Sequence, residues 1–294
     1  MITIDYAKCV KCMKCLMVCK RGALRLARDG SGLPEVYSGE GAECFSCGHC
    51  VCVCPAGAIT AGGADTPGFA AAPDSMPSYD EFIGFIRSRR SARNYKKDPV
   101  PGELAARVAD AARYSPTAKN AQGVCVSVVS GGAVKKLAGL TFGFYKKLMD
   151  TVASPLKKYP FMLLAGLSTV RAIERNAPAF EYGYKMWLEG IDLLFYDAPV
   201  LVIVHADKTL AMPKDDCGYA LYAMALAAET LGLATCINGF FLRAAERSAG
   251  IRNFIKLPPG HEVYGAMTMG YPALKFKKVP ARRPVNVTYI NSEL

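Results

Sequence analysis

The stretch that decides the fold of the N-terminal segment is residues 44–55, CFSCGHCVCVCP, which holds five cysteines in eleven residues. Four of them follow the spacing Cys-x2-Cys-x2-Cys-x3-Cys, and Cys52 lies outside that pattern. The same spacing occurs earlier in the chain, in residues 9–19. The segment is therefore an internal repeat built on eight cysteines, which are Cys9, Cys12, Cys15, Cys19, Cys44, Cys47, Cys50 and Cys54.

This doubled spacing predicts two [4Fe–4S] clusters. Three cysteines separated by two residues can bind three irons of one cluster, and the fourth cysteine then binds the other cluster. We expect one cluster to be bound by Cys9, Cys12, Cys15 and Cys54, and the other by Cys44, Cys47, Cys50 and Cys19. The alternative is structural zinc, but zinc sites use separated pairs of ligands and fit a Cys-x2-Cys-x2-Cys loop poorly.

Two residues near the second motif are left over once eight ligands have been assigned. Cys52 fits a small apolar residue packed near a cluster, since free cysteines commonly behave in this way. A spare ligand or a redox-active thiol is the alternative for Cys52. We expect His49 to lie outside the ligand set, because the cysteines already fill it.

The first 65 residues resemble the bacterial two-cluster ferredoxins. Residues 23–26 and 33–37 flank the turn sequence Asp-Gly-Ser-Gly and predict a hairpin. Residues 2–4 and 58–60 are expected to form a matching outer pair of strands. One departure from the family pattern is Lys20, which stands where a proline usually follows the fourth cysteine.

The length and the distribution of cysteines predict two domains. The chain has 294 residues, and a single hydrophobic core usually stops growing at about 250–300 residues. Nine of the twelve cysteines lie before residue 55. A stretch rich in small residues, Gly and Pro follows at residues 61–73 and predicts a linker. We therefore predict a ferredoxin domain at 1–65, a linker at 66–77 and a larger domain at 78–294.

The net charge of +11 belongs entirely to the part of the chain after residue 75. Residues 1–75 carry seven Lys/Arg and seven Asp/Glu, which leaves 29 basic and 18 acidic residues for the remainder. Such an excess fits an anionic cofactor, an acidic protein partner or nucleic acid, or simply a solvated basic surface. Nucleic acid is disfavoured, because no aromatic platform is interleaved with the basic residues.

The sequence predicts no membrane span, because it contains no run of about 18 apolar residues. The first residues, MITID, lack the basic start and long apolar core of a signal peptide. We therefore expect a cytoplasmic protein, in which clustered cysteines more often bind metal than form disulfides.

The larger domain begins with a predicted amphipathic helix at residues 79–86, with Ser78 as its N-cap. The sequence RSRRSAR follows at residues 87–93, and its arginines and serines suit a phosphate group. The alternative is that these basic side chains complement the C-terminal end of the helix.

Three further segments of this domain have clear patterns. Residues 102–114 predict a helix, and the polar loop SPTAKNAQ at 115–122 precedes a strand at 124–129. Such a loop can bind the edge of a flat heterocycle, or it is an ordinary loop. Residues 198–204 predict a buried strand that ends at His205. A helix buried on nearly all sides is expected next, with Asp215 or Asp216 as its cap, Gly232 as its stop, and Cys217 in the core.

These segments together resemble the nitroreductase family of FMN enzymes over about residues 78–285. The resemblance rests on RSRRSARNY, ARYSPTAKNAQ, YDAPVLVIVHAD, DDCGYALYAMALAAETLGLATCINGF and GYPALKFKKVPARRP, in that order. It implies an α+β fold with a central mixed sheet flanked by helices, and a homodimer that binds FMN at the subunit interface. The family often has Pro-Trp where this chain has Gly123-Val124, a change that opens the wall near the flavin.

The resemblance also implies which residues contact FMN. Residues matching the ribityl and phosphate segment are Arg89, Arg90, Ser91 and Arg93. Those matching the loop that reaches the flavin of the opposite subunit are Pro116, Thr117, Ala118, Asn120 and Gln122. Those matching the turn whose backbone faces the reactive edge are Ile237, Asn238 and Gly239, and those matching the C-terminal phosphate clamp are Arg282 and Arg283.

Residues 141–196 have the least informative pattern and are rich in aromatic residues and methionine. Helix packing is one interpretation, because such stripes usually belong to a core. The alternative is a helical cover over the flavin that shapes the substrate site, with Tyr182, Tyr184 and Trp187 as its candidate lining.

The two resemblances together predict an iron–sulfur flavoprotein reductase. Electrons would pass from the two clusters to FMN and on to a small organic acceptor, such as a nitroaromatic, a quinone or an activated alkene. We expect a low-potential donor such as ferredoxin or flavodoxin, which an acidic surface would steer to the basic domain. The alternative is a non-enzymatic electron-transfer or redox-sensing module.

Overall fold

The computed structural model describes residues 2–62 and 68–290. The chain divides into two compact units. The first unit contains Met1–Met76 together with the separate loop Pro116–Gln122, and the second contains Pro77–Ser115 and Gly123–Leu294. Residues 66 and 67 of the predicted linker lie outside the described residues.

The first unit is built from two short antiparallel strand pairs and two short helices. Its elements are β1 (Ile2–Ile4), α1 (Lys14–Val18), β2 (Leu24–Leu26), β3 (Pro34–Val36), α2 (His49–Cys52) and β4 (Ile59–Ala61). Strand β1 pairs with β4, and β2 pairs with β3, as the sequence predicts. The pairing brings the two ends of the unit together, so both cysteine motifs are enclosed by the same strands.

The core of the first unit is small and includes two cysteines. Ile2, Leu24 and Ile59 are buried together with Cys15 and Cys50. A core of this size stabilises a chain only weakly, and small domains commonly depend on bound metal for part of their stability.

The second unit combines eight helices with a four-stranded sheet among its described residues. Its helices are α3 (Tyr79–Ser88), α4 (Gly102–Asp110), α5 (Gly132–Ala153), α6 (Pro155–Ala165), α7 (Leu167–Leu188), α8 (Pro213–Thr230), α9 (Gly239–Arg247) and α10 (Ala249–Phe254). Its strands are β5 (Cys125–Ser130), β6 (Val200–Asp207), β7 (Ala234–Ile237) and β8 (His261–Gly270).

The sheet has the strand order β5-β6-β8-β7, and each neighbouring pair is antiparallel. Its mixed character comes from a parallel bridge between Ser91 and Thr235 on β7. The predicted α+β fold is confirmed, and helices cover both faces of the sheet. Leu201 and Ile203 pack in the core that contains α5 and α9, whereas Val202 and Val204 pack in the core that contains α8.

Helix α8 has Met212 as its N-cap, three residues before Asp215 and four before Asp216, the two caps that the sequence predicts. Pro213 is its first residue, and Asp215 and Asp216 lie in the first turn. The prediction of an aspartate cap was wrong because a proline at the first helical position has a φ suited to helix initiation. The two carboxylates instead face the positive end of the helix dipole. Gly232 follows the C-cap with a φ of 72°, as predicted for a helix stop.

The sequence predicts that α8 is buried on nearly all sides, and the family resemblance divides that burial between the subunit core and a dimer interface; the single chain buries one face. Cys217 and Met224 are fully buried, but Tyr219 and Tyr222 are 52% and 40% exposed. The burial pattern is therefore that of a helix with one face on the sheet. The apolar sequence alone does not distinguish a face that packs in the chain from one left open.

Strand β6 also differs from its prediction, because it continues through His205 to Asp207. His205 is buried inside the strand rather than at its end. The register between β6 and β8 shifts between Val204 and His205, which marks a β-bulge. His205 therefore interrupts the apolar run of β6, while the strand itself continues to Asp207.

Candidate functional site

The first group of predicted cluster ligands lines one cavity in the first unit. Cys9, Cys12 and Cys15 surround it from the first motif, and Cys54 reaches it from the second. The backbone N–H of Ala58 lies 3.3 Å from the Sγ atom of Cys54 and donates to it. Four thiols around one cavity, with an amide donor to one sulfur, fit the ligand set of a four-iron cluster.

The second group of predicted ligands lines another cavity of the same unit. Cys44, Cys47 and Cys50 of the second motif surround it together with Cys19 of the first. The crossed arrangement follows from the strand pairing, which brings the fourth cysteine of each motif to the cavity of the other. This donor set also fits a four-iron cluster.

The two cysteine loops repeat the same unusual backbone conformation. Lys11 and Ser46 precede the second cysteine of each motif, with φ angles of 53° and 51°. Met13 and Gly48 follow that cysteine, with φ angles of 58° and 73°. Left-handed residues on either side of the central cysteine curve each loop around its cavity, at a cost that non-glycine residues accept mainly at functional sites.

The two most buried cysteines of these loops have altered acidity. Burial raises the pKa of the Cys15 thiol, and it raises the pKa of the Cys50 thiol in the same way. Desolvation disfavours the charged thiolate in both places. A bound cationic centre would offset that cost, as metal coordination does for other thiols.

Cys52 and His49 both lie outside the two ligand sets. Each is exposed, although both belong to α2. The expectation that Cys52 packs as a buried apolar residue was wrong, because α2 turns this side chain toward solvent. Cys52 is therefore an exposed thiol beside a cysteine-lined cavity.

The loop Pro116–Gln122 lies against the second cysteine cavity. Pro116, Thr117 and Asn120 line that cavity. The Asn120 amide donates to the carbonyl oxygens of Phe45 and Ser46, at 3.0 and 3.1 Å. Sequence analysis assigned this loop to the flavin and missed its contacts with the cysteine segment, because no local pattern indicates such a long-range pairing.

The backbone of this loop is strained in three places. Lys119, Asn120 and Gln122 all have positive φ angles, between 48° and 54°. The hydroxyl of Thr117 accepts from the backbone N–H of Gln122 at 3.1 Å and fixes the turn. Ala118 lies in the short 3-10 turn between them. Strained non-glycine residues cluster at functional sites.

The arginine segment runs beside β7 in the second unit. The backbone N–H of Ala92 donates to the carbonyl of Thr235 at 2.9 Å. Ser91 and Arg93 are exposed, and the Arg93 guanidinium lies 5.9 Å from the ring centre of Tyr196. An exposed hydroxyl and guanidinium beside a strand end suit an anionic group.

One arginine of the segment, Arg90, is turned back toward the end of helix α3. Arg90 donates to the carbonyl oxygens of Arg87 and Arg89, both at 2.6 Å. Arg89 and Arg90 also lie close enough to Glu229 to lower its pKa, although burial raises that pKa more strongly. The contacts of Arg90 therefore match the alternative in which a basic side chain complements the end of a helix.

The turn after β7 carries the residues predicted to face the flavin edge. Asn238 is buried, and its side chain accepts from the N–H of Phe241 at 2.9 Å and donates to the carbonyl of Leu194 at 2.6 Å. Ile237 is half exposed, and Gly239 begins α9. The side chain of Asn238 therefore holds the turn in place, and its backbone N–H donates to the carbonyl of Ala266 at 2.9 Å.

The C-terminal segment begins beside the arginine segment and then leaves regular structure. Tyr95 pairs with Pro272, and Ala273 donates to the carbonyl of Asn94 at 3.0 Å. Arg282 and Arg283 lie further along, in an exposed segment without helix or strand. The start of the C-terminal segment therefore lies beside Asn94 and Tyr95, just after the arginine segment, whereas Arg282 and Arg283 are exposed to solvent.

Gly123 lies where the family often has proline. A Cβ atom added at Gly123 would come within 2.5 Å of the Leu210 side chain. Leu210 thus occupies the space that a larger residue would need. The predicted opening of the wall at this position is filled in part by a side chain from elsewhere in the unit.

An apolar cavity lies between helices α5 and α7 and the start of α9. It is lined by aromatic residues that include Phe142, Tyr145, Phe180, Tyr184 and Phe240. Tyr145 stacks on Phe180 at 4.5 Å between ring centres and donates its hydroxyl to the carbonyl of Phe240 at 2.6 Å. Phe240 follows the turn that begins at Ile237, so the cavity adjoins that turn.

Some aromatic residues of segment 141–196 line this cavity, as expected for a cover over the substrate site, and others pack between helices. Tyr182 and Tyr184 line the cavity, whereas Trp187 packs in the core with its ring 5.2 Å from that of Phe142. Sequence analysis missed Tyr145 and Phe240. The aromatic residues at positions 142, 144 and 145 were the available signal, but they come from an element separate in sequence from α7.

Comparison with known proteins identifies both parts of the chain. Residues 86–271 match the nitroreductase family, and residues 8–58 match the 4Fe-4S dicluster domain. A nitrobenzene nitroreductase of Ectopseudomonas oleovorans is 26% identical over 208 residues, which cover 67% of this chain and 88% of that protein. A chloronitrobenzene nitroreductase of Comamonas testosteroni is 25% identical over 205 residues, with the same coverage.

A solved nitroreductase from Bacteroides fragilis, which has bound FMN, shares the fold. Its TM-score is 0.50 at 24% identity, and the match covers 71% of this chain and 99% of that structure. The fold and the cysteine cavities define an oxidoreductase class in which an iron–sulfur segment is joined to a flavoprotein fold. The chain belongs to the nitroreductase family and carries a 4Fe-4S dicluster domain at its N-terminal end.

Within residues 2–62 and 68–290, no helix is both long enough and apolar enough to cross a bilayer.

Proposed function

We propose that this chain is an iron–sulfur flavoprotein reductase that binds two [4Fe–4S] clusters and FMN and reduces a small nitroaromatic acceptor. The observation that carries the proposal is the presence of a dicluster segment and a nitroreductase domain in one chain. When bound, the clusters would supply one-electron transfer and FMN would supply the two-electron reduction of the acceptor.

The cluster half of the proposal is supported by the two cysteine-lined cavities. Each cavity has four thiols, three from one motif and one from the other. Glu43 and His49 also line the second cavity, but its four thiols are enough to complete a set, and an all-thiolate set is typical of [4Fe–4S] ligation. The chain would therefore hold each cluster between its two repeats.

The flavin half is supported by the family and by the donor groups beside β7. Ser91 and Arg93 would hold the phosphate end of FMN, and the backbone of the turn Ile237–Gly239 would lie at its ring. Asn238 would act by fixing that turn, since its side chain is already used by Phe241 and Leu194. Arg282 and Arg283 would add to the phosphate contacts from the C-terminal segment.

The choice of acceptor is supported by the aromatic cavity next to this turn. Its lining of aromatic rings suits a flat aromatic ring, because stacked and edge-to-face pairs are favourable. The relatives from Ectopseudomonas and Comamonas are named for nitrobenzene and chloronitrobenzene. A nitroaromatic acceptor is the class that agrees with both observations.

A homodimer and an external electron donor complete the proposal. The exposed face of α8, with Tyr219 and Tyr222, offers an apolar surface for a second copy of the chain. The excess of basic residues after position 75 would steer an acidic ferredoxin or flavodoxin to the molecule. A monomer that retains FMN would contradict the dimeric site.

The test is anaerobic purification of the full chain, followed by cofactor analysis and turnover. We expect about eight irons and one FMN per chain, from two four-iron clusters and one flavin. Chemically reduced ferredoxin should then support steady reduction of nitrobenzene. Zinc in place of iron, or an absence of flavin, would overturn the proposal. Reversible reduction of the protein without turnover of any acceptor would favour a redox-sensing module.

A further inference from the structure

A second cluster of metal-ligating side chains lies in the sheet, away from the iron–sulfur segment. Cys125, His205 and His261 come from the three neighbouring strands β5, β6 and β8. One ligand atom from each of them lies within 4.8 Å of the other two. The proposed reductase activity uses none of these residues.

These three side chains lie close together because of the register of the sheet. Cys125 is paired directly with His205 across β5 and β6, so their side chains project from the same face. His261 is paired with Asp207, which lies two residues beyond His205 on β6. Side chains two residues apart in a strand lie on the same face, so His261 projects from the face that carries His205 and Cys125. The β-bulge between Val204 and His205 lies at the same place, and bulges often re-aim a side chain.

The contacts of the two histidines suit a metal. Their Nδ1 atoms lie 3.0 Å apart, and the Nε2 atom of His205 lies 3.1 Å from the hydroxyl of Ser127. The hydroxyl therefore holds the far nitrogen of His205 and leaves Nδ1 facing His261. A partner on the second ring nitrogen is a regular feature of metal-bound histidines.

We propose that Cys125, His205 and His261 form a binding site for zinc or a divalent metal ion with the same ligand preferences. One thiolate and two imidazoles match the ligands of zinc sites, in which three protein ligands leave the fourth position for water. Ligand atoms around tetrahedral zinc lie roughly 3.3–3.6 Å apart, so small side-chain rotations would suffice. Cys125 and His261 are half-buried, which leaves the fourth position open.

The alternative is a simple hydrogen bond between two neutral imidazoles, with Cys125 as a bystander. Both arrangements satisfy the His205 and His261 nitrogens, but only a metal site requires the thiol. The two are distinguished by zinc binding that depends on all three residues. The chain provides matched controls, since His49 and Cys52 are an exposed histidine and an exposed cysteine outside this cluster.

The test adds one equivalent of Zn²⁺ to the anaerobically purified full chain, removes free metal, and measures zinc and iron per chain. We expect about one zinc per chain, with one sulfur at about 2.3 Å and two nitrogens at about 2.0–2.1 Å by X-ray absorption at the zinc edge. Ser127→Ala should weaken zinc binding by about 10–100-fold, and His261→Gln and Cys125→Ser should each weaken it more, since they remove a ligand.

The controls His49→Gln and Cys52→Ser should bind zinc as the unmodified chain does. Zinc should also raise the unfolding temperature of the unmodified chain, but not that of His261→Gln. Urea unfolding without zinc, followed by the fluorescence of Trp187 in the second unit, shows whether each variant of that unit has folded. Equal zinc binding by His261→Gln and the unmodified chain, a zinc shell of sulfur alone, or no retained zinc would each overturn the proposal.

Discussion

At the scale of single residues, Asp192 is a carboxylic acid whose charged form is disfavoured by burial. It lies between α7 and β6, is buried, and its Oδ1 atom accepts from the backbone N–H groups of Leu194 and Phe195 at 2.8 and 2.9 Å. Burial raises the pKa of Asp192, and the nearby charge of Asp197 adds to the effect, while the two hydrogen bonds oppose it. The carboxylate thus shapes the turn that leads into the central strand, at a cost in desolvation.

We predict that Asp192→Asn makes the stability of the second unit less dependent on pH. An acid whose pKa is raised on folding stabilises fully only below its unfolded pKa, about 3.9, and that contribution is lost as the pH rises through the folded pKa. The asparagine keeps an Oδ1 acceptor but has no charge to bury. Urea unfolding can be followed by the fluorescence of Trp187, the chain's single tryptophan. The free energy of unfolding of Asp192→Asn should therefore increase relative to that of the unmodified chain as the pH rises.

Two further substitutions separate charge from hydrogen bonding at this turn. Asp192→Ala removes the acceptor for both N–H groups and should destabilise by about 1–3 kcal/mol at any pH. Asp197→Asn should lower the pKa of Asp192 and so reduce the pH dependence in part. Parallel stability profiles for Asp192→Asn and the unmodified chain would show that the buried charge has no effect.

At the scale of elements, the sequence predicts local structure well where one short pattern decides it. The helix cap at Ser78 is an example, since Ser78 and Glu81 form a complete capping box. The β2–β3 hairpin and the stop of α8 at Gly232 are others. What could not be predicted depends on partners distant in the chain, such as the bulge at His205 or the contact of Asn120 with Phe45.

The aromatic cavity gives the second prediction, which concerns α7 and its packing on α5. Phe180→Ala removes the ring that stacks on Tyr145 and lines the cavity. We expect kcat/KM for nitrobenzene to fall about tenfold, since an aromatic pair contributes about 0.5–1.5 kcal/mol beyond its buried area. FMN content should be unchanged, because the ring is not among the predicted flavin contacts.

The matched control for this substitution is Leu163→Ala, in α6, where the side chain is 84% exposed. It removes a large apolar side chain from the same helical region without touching the cavity. Steady-state kinetics with chemically reduced protein measures both variants under the same conditions. An equal loss in the two variants, or none in Phe180→Ala, would place the acceptor elsewhere.

At the scale of the whole molecule, the repeated cysteine spacing alone is enough to predict how the eight ligands divide into two groups. The division follows from chain topology, because strands β1 and β4 join the two ends of the first unit and each cavity takes one cysteine from the other repeat. The candidate flavin contacts are harder to predict, since they come from several separate segments. Their assignment depends on family resemblance, and the contacts of Asn120 and Arg90 show how much local packing adds to it.

The crossed ligand sets lead to the last prediction, on the iron content of the full chain. Cys54 lies among Cys9, Cys12 and Cys15, so Cys54→Ser should damage the first cluster and leave the second intact. We expect iron to fall from about eight toward about four per chain, since each cluster holds four irons. Cys52→Ser, two residues away on the same segment, should retain the full iron content because Cys52 lies outside both sets. Iron and sulfide analysis of the anaerobically purified variants makes the comparison, with reduction of nitrobenzene by reduced ferredoxin as the functional measure. In the crossed arrangement the double variant Cys9→Ser/Cys54→Ser should still retain about four irons, because both residues line the first cavity. Loss of nearly all iron from the double variant but not from Cys54→Ser, or equal loss from Cys52→Ser, would show that the clusters are not held in this crossed arrangement.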